Sequence, residues 1–184
     1  MLGNIWHADE MKIKTKPEDW AWLWHVMDNE TRYMVANLIT KHREDADAEG
    51  IFKKAKVHSS GKKPEYMVTD GLQSYKGAFN KVFYDHHRSS RHVRAAGITE
   101  AKSNNNMVER LHNTVRDREK VMRGLQNKVT ASEFNDGFKA FYNHIRPHMA
   151  LNGETPAQRA GIDLKLGRNR WMGMIQKGAE HQRK

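Results

Sequence analysis

Ile5-Trp6-His7-Ala8-Asp9-Glu10-Met11-Lys12-Ile13 alternates along its length. Successive side chains of a strand point to opposite faces, so Ile5, His7, Asp9, Met11 and Ile13 share one face. An acid in the middle of such a face is costly unless it is paired or bound to a metal. Glu10 falls on the opposite face, where we expect it to be solvated. The next stretch, Trp20-Ala21-Trp22-Leu23-Trp24-His25-Val26-Met27-Asp28, is apolar on both faces. It reads as a buried central strand, with its three tryptophans in the core. The turn Asp28-Asn29-Glu30-Thr31 leads into a third strand at 32–40. Three consecutive strands with short connections make an antiparallel meander.

Beyond the meander, residues 44–57 read as a helix carrying Ala46, Ile51, Phe52 and Val57 among charges, and Gly61 and Pro64 end it. Tyr66-Met67-Val68-Thr69 is a short strand, and Asp70-Gly71 opens a helix at 72–80. A final short strand falls within 81–100. In the helix at 104–125, Val108, Leu111, Val115, Met122 and Leu125 lie on one face. Thr130-Ala131-Ser132-Glu133 has the form of a capping box for a further helix. That helix has Phe134, Phe138, Phe141 and Ile145 in phase and stops at Pro147. This order predicts an α/β fold, a mixed sheet with helices packed on its faces. We divide the chain into a core at 1–162 and a basic tail at 163–184. Trp171-Met172-Gly173-Met174-Ile175 in the tail packs either on the core or on a partner subunit.

Lys and Arg number 32 against 22 Asp and Glu, a formal net charge of +10. Such an excess favours polyanions, nucleic acid first among them, although a basic protein that is merely soluble is the plainer alternative. With no cysteine, a disulfide framework, a thiol nucleophile and a thiolate zinc site are excluded. No run of 18 apolar residues could span a membrane, and the first residues do not read as a signal peptide. The 11 histidines are scattered without the spacing of a zinc site.

Three acids stand in three local settings: Asp9 within a strand, Asp70 at a strand end, and Glu109 near the start of a long helix. Brought together, they would form a carboxylate cage for two Mg²⁺ ions, which lie about 3.5–4 Å apart in two-metal phosphodiester chemistry. Asp9, on the stiffest element, is the candidate bridge. In a chain this basic the substrate would be the DNA backbone. Each acid has a structural reading as well: Asp70 before glycine suits a turn or an N-cap, and Glu109 complements a helix dipole. The helix bearing Glu109 also carries Arg110, Arg116, Lys120 and Arg123, and Glu109, His112 and Arg116 fall on one stripe. Arg91, Arg94 and Lys102 belong to a second basic patch. Both patches suit phosphate contacts without sequence readout, and equally a solvated charged face.

Several ordered motifs carry a family resemblance. Trp6-His7-Ala8-Asp9-Glu10, Val68-Thr69-Asp70-Gly71 with Tyr75, and Asn105-Asn106-Met107-Val108-Glu109-Arg110 resemble the three acidic motifs of DDE transposases and retroviral-type integrases. Arg116 matches the family's basic residue two turns past the last acid. Phe141-Tyr142-Asn143-His144-Ile145-Arg146-Pro147-His148, continuing to Leu151-Asn152-Gly153-Glu154-Thr155-Pro156-Ala157, is similar to the closing signature of insertion-sequence transposases. The resemblance covers residues 3–162. It implies an RNase H-like fold with a five-stranded sheet, and Asp9, Asp70 and Glu109 as the catalytic, metal-holding acids. It also implies two Mg²⁺ or Mn²⁺ ions, and DNA cleavage followed by transfer of a 3′-hydroxyl end to target DNA. The setting it implies is the prokaryotic cytoplasm and nucleoid, with DNA and further copies of the chain as partners. Asp70 and Glu109 are 39 positions apart, slightly more than the family's usual spacing. Family members carry a helical DNA-binding region ahead of the core, whereas Asp9 nearly opens this chain. A truncated, non-catalytic DNA-binding or subunit-binding regulator of transposition is therefore the second reading.

Overall fold

The structure, a computed structural model, describes residues 1–16, 19–84, 86–87, 89–95, 105–122 and 125–183. Lys102 and Arg123, two of the expected DNA contacts, lie outside the described residues. The chain runs β1 (Ile5–Thr15), β2 (Asp19–Asp28), β3 (Met34–Thr40), α1 (Asp45–His58), β4 (Tyr66–Thr69), α2 (Ser74–Val82), β5 (Arg91–Arg94), α3 (Asn106–Met122) and α4 (Lys128–Ala140). A π-helical turn at Phe141–Ile145, a 3-10 turn at Met149–Leu151, α5 (Pro156–Arg159) and α6 (Arg170–Gln182) follow. Strand order in the sheet is β3-β2-β1-β4-β5. The first three strands form the expected antiparallel meander, and β4 and β5 add in parallel. The fold is the mixed five-stranded α/β architecture of RNase H-like proteins.

The alternation of β1 decides both cores. Trp6 and Ala8 face a cluster with Trp24, Ile51, Phe52, Tyr75 and Phe79, covered by α1 and α2. Met11 and Ile13 face the other way, onto Leu23, Met27, Val108, Leu111 and Phe138, covered by α3 and α4. Helix cover on the first face stops short. Trp24 is fully buried and its indole N–H donates to Thr40 Oγ1 at 2.8 Å. Trp22 is only half-buried beneath the cations of Lys12 and Arg43, and Trp20 is 51% exposed. Expecting all three in the core was wrong, because the end of this face that carries the exposed Lys12 and Lys14 lies beyond the cover of α1 and α2.

One further detail differs from the sequence reading. Helix α4 starts at Lys128, with Asn127 as its cap: Thr130 N–H donates to Asn127 Oδ1 at 2.9 Å, and Asn127 N–H to Thr130 Oγ1 at 3.1 Å. Thr130 therefore closes a capping box three residues earlier than expected. The final short strand expected within 81–100 is β5, and Val82 and Phe83 close α2 ahead of it.

β3 is fastened by polar side chains. Its pairing with β2 slips by one residue, Ala36 opposing Val26 and Met34 opposing Met27, which leaves Val35 as the extra residue of a bulge. The Val35 carbonyl accepts from Lys139 Nζ at 3.0 Å and lies 3.1 Å from His58 Nδ1. Asn143 pairs with Met34 like a neighbouring strand. It accepts from the Met34 N–H at 2.8 Å and donates to the Met34 carbonyl at 3.0 Å. Helix α6 buries none of its residues, but Trp171 stacks on Phe141 with ring centroids 5.9 Å apart. Among the described residues no helix is long and apolar enough to cross a membrane.

Candidate active site

Register brings the first two acids together. β1 and β4 are parallel neighbours with Ala8 opposite Thr69, so Asp9 and Asp70 each stand one residue beyond that matched pair. Asp70 sits just past the end of β4, where its Oδ1 accepts from Leu72 N–H at 3.0 Å and fixes the turn into α2. Asp9 Oδ1 accepts from Glu10 N–H at 3.0 Å. A third carboxylate joins them: one oxygen each of Asp9, Glu10 and Asp70 lies within 4.8 Å of the others.

That third group corrects our reading of Glu10. It is on the opposite face of β1 from Asp9, as alternation requires, but it is 8% exposed and not solvated. The Tyr75 hydroxyl donates to its Oε2, and Arg43 forms an ion pair with its Oε1. The same guanidinium lies 3.7 Å from Asp70 Oδ2 and over the Trp22 ring. Arg43 follows β3, and Tyr75 is in the first turn of α2. Tyr75 entered the sequence reading only as part of the second motif, and Arg43 did not stand out at all. The one signal was the second acid next to Asp9 in a strand covered on both faces.

Glu109 is exposed in the first turn of α3 and lies outside the close group, but its charge reaches Asp9. Burial first, then the charges of Glu10, Asp70 and Glu109, push the Asp9 carboxyl up to about 7. Burial likewise raises Glu10, against the lowering influence of Tyr75 and Arg43. The cluster is therefore short of positive charge even with Arg43 beside it. Hard oxygen donors in a pocket that disfavours their anionic form fit Mg²⁺ or Mn²⁺. A dication would reverse the penalty that holds Asp9 protonated.

α3 is anchored over this site by its first residues. Asn105 Oδ1 lies 3.1 Å from His7 Nδ1, and Asn105 Nδ2 donates to the Ala8 carbonyl at 3.2 Å. His112, two turns further, is 5% exposed, with its Nδ1 3.6 Å from Asp9 Oδ2 and its ring 5.3 Å from that of His25. Burial, His25 and Arg116 hold the His112 pKa well below its ordinary value, so it is a neutral, inward-facing neighbour of Asp9. We expected a DNA contact there. The 3- and 4-residue stripe places His112 on the site side of the helix, but packing against β2 keeps it from the surface.

The other expected DNA contacts among the described residues are exposed. Arg110, Arg116 and Lys120 are exposed along α3, and Lys120 lies 3.8 Å from Asp117. Arg91 and Arg94 lie at the two ends of β5. Arg94 packs tightly over Gly71, where a Cβ would sit 2.6 Å from its Nη2. Glycine after Asp70 thus lets a guanidinium approach the acidic site closely. Asp70, Gly71, Lys76, His92 and Arg94 line an open cavity of about 730 Å³.

Comparison with known proteins agrees with this fold. A family model described as a DDE domain, that of IS240-type transposases, matches residues 3–148. The fold is similar to the catalytic core domain of BIV integrase, with a TM-score of 0.55 over 85% of this chain and 92% of that one, at 11% sequence identity. No curated protein sequence matches the chain.

Proposed function

Because the chain belongs to the DDE-domain family of transposases, we propose that it is the catalytic core of a DNA-transposing enzyme, performing divalent-metal-dependent strand cleavage and strand transfer. The observation that carries this reading is the parallel register of β1 and β4, which sets Asp9 beside Asp70 under the start of α3. Asp9, Asp70 and Glu109 would hold two Mg²⁺ or Mn²⁺ ions. When bound, such ions activate the attacking oxygen and stabilise the leaving one. Glu109 would reach them by rotating its exposed side chain inward. Glu10, tied to Arg43 and Tyr75, serves as a positioning residue: it keeps the guanidinium beside Asp70, on the side where a scissile phosphate would rest. Arg94 and Arg116 flank the same place from β5 and α3. Water and then a DNA 3′-hydroxyl would attack phosphorus in line, with no covalent enzyme intermediate. Element ends and target DNA would be the substrates, the setting prokaryotic and nucleoid-associated, the working form a homo-oligomer, and residues 1–162 the unit that carries the chemistry.

The test is cleavage and joining of labelled duplex DNA with Mn²⁺, wild type against Asp9→Asn, Asp70→Asn and Glu109→Gln. We expect each variant to lose at least about 10³-fold in rate while keeping its fold, since metal-held carboxylates act as one unit. DNA binding by wild type with neither Mn²⁺ binding nor cleavage would overturn the enzymatic reading in favour of a non-catalytic regulator.

A further inference from the structure

A second constellation lies on the other flank of α3. Met107, Arg110, Leu111 and Thr114 of α3 form one wall of a cavity of about 190 Å³. Arg32 from the β2–β3 turn, and Tyr142, Arg146, His148 and Ala150 from the chain after α4, form the rest. At roughly 100° per residue, these α3 positions and the Glu109–His112–Arg116 stripe fall on opposite sides of the buried face.

Three guanidinium groups line this cavity and no acid does. None of Arg32, Arg110 and Arg146 has an ion-pair partner among the described residues. Arg32 and Arg146 are close enough that both charges act on Tyr142 and on His148. Like charges gathered in a recess are destabilising without a counter-charge, and a protein can spread arginines over open surface at no such cost. Arg32 is moreover held at φ 60°, the left-handed region that glycine or asparagine enters most easily. Strain of this kind persists where the surroundings require it, most often at binding sites. His148 packs edge-on against Tyr142 at 4.6 Å and leaves its buried Nε2 without a partner. At about 30 Å³ per water the cavity has room for roughly six, enough for a tetrahedral oxyanion and its hydration.

We propose that this cavity is a phosphate-binding site, distinct from the acidic site, that takes a backbone phosphate of DNA crossing α3. The inference rests on the reading of DNA as substrate for its ligand, but not for its chemistry. An α-helix is about 10–12 Å across, so a strand laid over the exposed ridge of α3 offers phosphates to both flanks. Forked guanidinium groups recognise such oxyanions in paired geometry. Arg146 and His148 lie in the closing Arg146-Pro147-His148 segment, which this assigns to substrate holding rather than to chemistry.

Two measurements on the full chain test it. Inorganic phosphate is titrated while the His148 ring resonances are followed by NMR. We expect a saturable shift that is lost in the Arg32→Gln/Arg146→Gln double variant and kept in Asp9→Asn. Absence of the shift, or its persistence in the double variant, overturns the site. Duplex affinity is then measured against salt. The double variant should lower the slope of log K on log salt by about 1.8, two phosphate contacts at about 0.9 each, with Mn²⁺ binding unchanged. The exposed Arg110→Gln, which leaves the core untouched, should lower it by about 0.9. Phosphate binding with an unchanged DNA slope would overturn the assignment to DNA and leave a site for a free oxyanion. If wild type binds no DNA at all, the transposase reading fails while the phosphate titration still decides the cavity's chemistry.

Discussion

Asp9 holds the most uncomfortable position in the chain, and its discomfort has a measurable sign. Its carboxyl is pushed up to about 7 from an ordinary 3.8, so folding favours the protonated form. The stability this gives is fully present below pH 3.8 and is lost as pH rises to about 7. At about 1.4 kcal/mol per pKa unit the loss amounts to as much as about 4 kcal/mol in metal-free protein. We expect Asp9→Asn to abolish that pH dependence and to unfold at a higher temperature than metal-free wild type at pH 8. Scanning calorimetry at pH 4 and pH 8 checks it, and equal melting of the two proteins at pH 8 would refute it. Arg43 gives a second residue-level expectation, with opposite signs. It lies 3.7 Å from Asp70, where it competes with a dication, and beside the place of a scissile phosphate. Arg43→Gln should therefore bind Mn²⁺ up to about 5-fold more tightly, the scale of an exposed pair, while binding DNA more weakly. Calorimetric titration with each ligand separates the two effects.

Among the elements, β3 and the segment after α4 hold each other in place. Asn143 supplies both a donor and an acceptor to the backbone of Met34, and both its contacts are buried. Asn143→Ala should cost about 2–3 kcal/mol in urea unfolding, because it strands two buried backbone groups. Asn127→Ala, which removes only an exposed helix cap, should cost about 1 kcal/mol. The Asn143 role explains part of the closing motif as architecture, and nothing in the local sequence distinguishes it from a site residue. Elsewhere the sequence was more legible. The period of β1 placed Trp6 and Met11 in different cores, and the helical phase of Val108, Leu111 and Val115 found the buried face of α3. What stayed hidden depends on distant partners. Glu10 looks solvated until Tyr75, 65 residues on, and Arg43 close over it. Thr130-Ala131-Ser132-Glu133 has the form of a capping box, but Asn127, with the same chemistry one turn earlier, is the cap.

On the scale of the whole molecule, a charge of +10 and two basic flanks on one helix imply strongly salt-dependent DNA binding. Wild-type affinity should fall linearly on logarithmic axes as salt rises, and Arg116→Gln should lower the slope by about 0.9 without altering the response to inorganic phosphate at His148. Gel-shift titrations across a salt series measure the first, and an unchanged slope in that variant would remove Arg116 from the interface. The bulge at Val35 has a consequence of another kind. A regular outer strand is a template on which other chains can add and aggregate. Here Asn143 occupies the Met34 amide and carbonyl, while Lys139 and His58 crowd the displaced Val35 carbonyl. At Met34 and Val35 that margin is closed to an intruding strand, so strand addition along β3 should be blocked at this end.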